Sequence, residues 1–192
     1  MKKTITLKPG DTLVIRCPEI QPAPIPPPEE DALDIFLTID AVNFYRNEDG
    51  SYAKFKSDLD ICNDGSGPDY DDPHHQAMTA YYSGGIEGGK YLNADVDKYI
   101  VVPPQVRAKL PGVVMGCRGR VTNLITNVVE EGVVGEIGPD YTSGECAYVL
   151  AKKINPHIGH NSGDKARNYL YELWPDVPAT DGDFTYKLQP AG

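Results

Sequence analysis

The chain has 192 residues, of which 40% are hydrophobic and 24% charged, and its 28 acidic against 18 basic side chains give a formal charge of −10. That length suits one domain with its own core. The acid excess excludes a nucleic-acid partner, which needs Lys and Arg to neutralise phosphates, and leaves plain solubility or attraction to a polycation.

Residues 4–17 read as two short strands around Pro9-Gly10-Asp11, an N-terminal β arm (1–17). Six prolines in residues 18–31 predict an extended spacer, since proline fixes φ and lacks the N–H donor. The main domain is expected over 32–178. It is mainly β, with strands over Asp34–Ile39, Ala53–Lys56, Tyr99–Val102, Val113–Arg118, Arg120–Val129 and Gly132–Ile137. Two helices are expected. One covers Gly144–Ile154, with Cys146, Val149, Leu150 and Ile154 on its stripe. The other covers Ser162–Leu173, with Asn161 as N-cap and Ala166, Tyr169, Leu170 and Leu173 on its stripe. A polar tail over 179–192 is expected on the surface. Met1-Lys2-Lys3 is not followed by an apolar run of ~7–15 residues, so the expectation is synthesis in the cytoplasm without a signal peptide, with release or assembly into an extracellular particle left open. No run approaches the ~20 apolar residues of a membrane helix, so no membrane partner is expected. The arm over 1–17 is a candidate for self-association or for contact with a protein partner.

Two carboxylates stand out. Glu136 follows an apolar strand and precedes Ile137-Gly138-Pro139, so partial burial should raise its pKa, as a general acid requires. Glu145 follows nine residues later. Thr142-x-x-Glu145 also fits a capping box, so a helix cap and a catalytic carboxylate are both readings of that residue. A strand-turn-helix connection would bring the two carboxyls to one cleft.

Upstream, residues 57–85 hold Asp58, Asp60, Asp64, Asp69, Asp71 and Asp72, with no basic residue from Ser57 to Pro73. Cys62 and Asn63, at positions that need a ligand and a glycine, argue against an EF-hand, while another calcium arrangement stays open. His74-His75 alone makes a poor zinc site. Tyr70, Tyr81 and Tyr82 could stack on sugar rings while the aspartates bind hydroxyl or ammonium groups; a solvated loop is the competing reading. Gly84-Gly85 and Gly88-Gly89 fit no nucleotide loop. Cys17, Cys62, Cys117 and Cys146 form no Cys-x-x-Cys, and their disulfide state stays open. No cofactor or metal is expected.

Several of these segments together resemble glycoside hydrolase family 75, the fungal-type chitosanases. The likeness runs through Asp58-Leu59-Asp60-Ile61-Cys62-Asn63-Asp64-Gly65, Gln76-Ala77-Met78-Thr79 and Leu92-Asn93-Ala94-Asp95-Val96-Asp97-Lys98-Tyr99. Its most specific block is Val134-Gly135-Glu136-Ile137-Gly138-Pro139 followed by Gly144-Glu145-Cys146-Ala147. The resemblance implies a six-stranded double-psi-like β-barrel and endo-hydrolysis, with inversion, of the β-1,4 bonds of a glucosamine polymer. Glu136 and Glu145 would be the catalytic pair. Glu136 is expected as the acid. Glu145 is expected as the base, with a helix N-terminus keeping it charged. Asp58, Asp60, Asp64, Gln76, Thr79 and Tyr81 are expected to bind substrate. The chain departs from the family in having Glu136 where Asp is usual and Cys146-Ala147 for Ala-Ser. The alternative expectation is a non-catalytic glycan-binding or structural protein of a virion or surface assembly, anchored by its N-terminal arm.

Overall fold

The computed structural model describes residues 33–65, 67–68 and 70–190. The N-terminal arm, the proline-rich spacer, Cys17 and Asp69 lie outside them. Strands β1 (Leu33–Ile39), β2 (Val42–Asn47) and β3 (Ala53–Cys62) come first. Then come β4 (Tyr99–Val102), helix α1 (Pro104–Lys109), β5 (Cys117–Asn123), β6 (Val129–Ile137), β7 (Glu145–Ala147) and helix α2 (Tyr148–Ile154). Strand β8 (Asp164–Pro178) and the short pair β9 (Thr180–Asp181) and β10 (Phe184–Thr185) close the chain.

The sheet runs β1-β2-β3-β7-β4-β6-β5-β8, and β8 pairs back onto β3. That last pairing closes a six-stranded barrel, the expected mainly β architecture, with β1 and β2 attached outside the ring. Strand β3 makes this possible. One of its edges pairs first with β2 (Phe44↔Phe55) and then with β7 (Asp60↔Glu145), while the other pairs with β8 from Ala53 to Leu59. Its alternating buried residues Ala53, Phe55, Ser57 and Leu59 match the period of two that a strand requires.

Aromatic packing fixes this wall of the barrel. The Phe55 ring lies 4.4 Å from Phe44 and stacks at 4.8 Å on Tyr171 of β8. Such pairs contribute about 0.5–1.5 kcal/mol beyond area burial. Glu172, only 2% exposed, is accommodated because Arg120 donates to both its oxygens (2.7 and 2.8 Å) and Tyr52 Oη donates at 2.6 Å.

Residues 162–173 are therefore not a helix. Tyr169, Tyr171 and Leu173 are buried at every second position and pair with both β3 and β5, whereas Ala166, which a helical stripe would bury, is exposed. Aromatic residues fit a two-sided strand position well, and pairing on both edges outweighed the weaker helical pattern. The expected strand over Val113–Arg118 begins only at Cys117, and Arg120–Val129 is split by a turn into the ends of β5 and β6. Nor does the tail lie free on the surface. Tyr186 is 2% exposed, its hydroxyl reaches Asp97 Oδ1 at 3.2 Å, and Gln189 N–H donates to Met115 O.

A β-bulge sits where β4 meets β6: Ile100 pairs with Val134 but Val101 pairs with Glu136, leaving Gly135 as the extra residue. Bulges re-aim the side chain that follows. A methyl group at Gly135 would stand 2.4 Å from Leu92 Cδ1 and 2.6 Å from Tyr99 Cβ. Gly135→Ala should therefore destabilise the fold by about 2 kcal/mol through overpacking, read as a lower urea midpoint at unchanged slope. An unchanged midpoint would mean the bulge opens to admit a methyl.

Candidate active site

The bulge places Glu136 in a specific row. Asp60 pairs with Glu145 across β3 and β7, Ile100 with Cys146 across β4 and β7, and Val101 with Glu136 across β4 and β6. Advancing the β4–β7 register by one residue sets Val101 beside Glu145. Paired residues share a face of the sheet. Asp60, Glu145, Val101 and Glu136 thus form one row across four neighbouring strands, and all four line a cavity of about 960 Å³.

Further carboxylates converge on the same cavity. The end of β3 and the two residues after it, 60 to 64, all line it, Asp60, Cys62 and Asp64 among them. Asp64 Oδ1 accepts the Gln76 N–H at 2.7 Å, and Gln76 also lines the cavity. Burial pushes the Asp64 carboxyl up.

The two glutamates are held differently. Glu136, 9% exposed, accepts two backbone N–H bonds, from Ala80 at 2.8 Å and from Ile137 at 2.7 Å. Burial is the larger effect and raises its pKa to about 7, against those two donors. Glu145 is also pushed up to about 7, first by burial and then by the negative charges of Asp64, Asp60 and Glu136, with the Cys62 thiol as an opposing donor. Gly138 lies against it: a Cβ there would stand 3.7 Å from Glu145 Oε2.

Glu145 is therefore no helix cap. It sits on β7, α2 begins at Tyr148, and the residue preceding that helix is Ala147, without a side-chain cap. The reason for expecting a low pKa at Glu145 falls with the capping box. Residues 142–147 pass instead through a Gly144 turn (φ 92°) into a short strand between β3 and β4.

The other expected site residues divide. Asp58 sits just outside the cavity, with Oδ1 accepting from Ser57 Oγ at 3.0 Å. Thr79 and Tyr81 are buried beneath it. Thr79 Oγ1 donates to Tyr81 O and accepts from Leu92 N–H, and Tyr81 Oη accepts from Lys187 N–H. Their effect on the site is indirect: they hold the loop whose Ala80 N–H meets Glu136, and Tyr81 N–H itself bonds the bulge carbonyl of Gly135. Tyr82 is exposed away from the cavity. Tyr70 does not present a free ring either. It stacks on His160 at 3.4 Å, His160 stacks on Tyr148 at 3.4 Å, and the Tyr70 hydroxyl bonds Asp95. His160 lines the cavity, and burial lowers its pKa.

No protein-family model matches the chain, and no curated protein matches it significantly in sequence.

Sequence reasoning passed over four residues of the cavity. Cys62 was within reach, because it stands two residues from both Asp60 and Asp64. Tyr141, 73% exposed at the rim, lies in the turn between the glutamates and carries no pattern of its own. His160 and Lys165 come from the far end of the chain and carry no local signal. Cys62, Cys117 and Cys146 are free buried thiols.

The raised glutamates link protonation to stability. Their folded pKa values lie above the ordinary 4.5, so the folded state binds more protons than the unfolded state between pH 4.5 and about 7. Their stabilising contribution is complete below the lower limit and is lost as pH rises through the upper one. Glu145→Gln should match the wild type at low pH and exceed its stability at pH 8 by roughly 2 kcal/mol in urea unfolding. An equal difference at both pH values would place the effect in packing rather than charge.

Proposed function

We propose that the protein is an endo-acting glycoside hydrolase that cleaves β-1,4 bonds of a glucosamine-containing polymer, with Glu136 and Glu145 as its carboxyl pair. The observation that carries this reading is the pair itself: a buried carboxyl and a half-buried one, both with pKa near 7, in one row of the barrel, facing one open cavity. Glycosidic cleavage uses one carboxyl to protonate the leaving oxygen and another to activate water or attack the sugar. Glu136 and Glu145 lie two strands apart, so their Cα atoms are separated by ~10 Å at ordinary strand spacing. Inversion, in which a water stands between base and sugar, is the outcome that the resemblance implies.

The hydrogen bonds suggest the roles. Glu136 has two backbone N–H donors aimed at its oxygens, which favour its charged form. Glu145 faces three other carboxylates and keeps the proton the pair shares. Glu145 is then the acid and Glu136 the base, the reverse of the assignment that a helix N-terminus at Glu145 would have given. Glu136 is one methylene longer than the aspartate of the chitosanases it resembles. Its bond to the N–H of the next residue curls the carboxyl back toward the backbone, which shortens its reach. The acidic lining favours a cationic glycan, and chitosan is the substrate the resemblance supports.

The wild type is expected to release reducing ends from chitosan with a bell-shaped profile centred near pH 7, where the pair holds one proton. Glu136→Gln and Glu145→Gln should each lose roughly 10²–10⁴-fold in kcat with folding intact. Retention on chitosan without any reducing ends from the wild type would make the cavity a binding site and overturn the hydrolase.

A further inference from the structure

We propose that Lys165 is an internal competitor for the cation position of the cavity, and that it sets how strongly the site prefers charged over neutral sugars. The inference rests on the glycan reading above and adds the residue that tunes it. The carboxylate row ends at Asp60, and that end is occupied. Lys165 Nζ lies 2.5 Å from Asp60 Oδ1 and 3.8 Å from Asp58 Oδ2. Among the described residues lining the cavity, Lys165 is the one lysine or arginine, against six aspartates and glutamates.

Its place in the chain suits exchange. Where β8 runs beside β3, Ser57 pairs with Tyr169 and Leu59 with Asp164, so two steps on β3 correspond to five on β8. Residues 165–168 therefore leave this ladder and project from it. The Lys165 side chain is 75% exposed. An ion pair in that setting contributes about 0.2–1 kcal/mol, so another cation can replace it at little cost. Gly163 keeps the approach open, because a Cβ there would stand 2.6 Å from Asp60 Oδ1.

A lysine ammonium and the 2-ammonium of glucosamine offer the same chemistry: a compact positive charge with three N–H donors. With Lys165 in place, Asp60 is already neutralised and the cavity edge accepts an N-acetylated sugar without leaving a carboxylate unpaired. A glucosamine unit has to displace Lys165 before it gains the same partner. Lys165 thus lowers the preference for charged units and widens the range of acetylation the site accepts.

The test is binding by the full chain carrying Glu136→Gln, which prevents turnover, with and without Lys165→Met. Calorimetry with glucosamine hexamer and with N-acetylglucosamine hexamer reads the preference directly. Lys165→Met should bind the charged hexamer about threefold tighter at low salt and the neutral hexamer no tighter than the parent does. The gain should fade at high ionic strength, and Lys165→Arg should behave like the parent. Unchanged or weaker binding of the charged hexamer, or an equal gain for both, overturns the inference. Hydrolysis by the wild type is scored separately. A selective gain without any hydrolysis sinks the enzyme and keeps the competitor. Hydrolysis with no selective gain sinks the competitor alone.

Discussion

Strand β3 has to satisfy two backbone edges with three partners, and the rest of the molecule follows from how it does so. Its first half is held by β2 on one side and β8 on the other. Its second half exchanges β2 for β7. The exchange inserts β7 between β3 and β4, and without it neither the ring nor the neighbouring positions of Asp60 and Glu145 would exist. The packed rings of Phe44, Phe55 and Tyr171 pin the first half so that the second can change partners.

The electrostatics of the cavity oppose its stability. Asp60, Asp64, Glu136 and Glu145 face one space, and burial first, then the neighbouring like charges, pushes protons onto Asp64, Glu136 and Glu145. Lys165 meets Asp60, and for the deeper carboxyls the fold offsets this with backbone N–H groups: Ala80 and Ile137 for Glu136, and Gln76 for Asp64. Fixed dipoles stabilise a carboxylate without occupying the space in front of it. The loop from Asp64 to Tyr81 supplies two of these donors, which is why Thr79 and Tyr81 matter to the site though neither touches the cavity.

Much of this was legible in the sequence, for reasons that differ by residue. Glu136 was legible because an apolar strand running into Ile137-Gly138-Pro139 has an evident end, and a carboxylate there is partly desolvated. Glu145 was legible as a candidate but not in its environment. Thr142-x-x-Glu145 satisfies a local capping pattern, and only the non-local pairing with Asp60 and β4 turns the segment into a strand. The same failure explains residues 162–173. Leu170, Leu173 and their neighbours fit a helical stripe, and nothing local reveals that β3 and β5 lie on either side. Lys165 was invisible because its partner is far away in the chain and its strand was read as a helix.

Strand β4 lies between the two glutamates, and this determines what can vary around them. Glu136 and Glu145 are joined by a loop through Pro139 and Tyr141, yet the loop does not set their separation. The hydrogen-bond ladders on the two edges of β4 do, and the width of a strand is a constant of the polypeptide backbone. Insertions, deletions or new side chains between 139 and 142 can therefore reshape the rim where Tyr141 stands without moving the carboxyls. The architecture separates the part of the site that must be fixed from the part that can diversify, and both lie within a single stretch of chain.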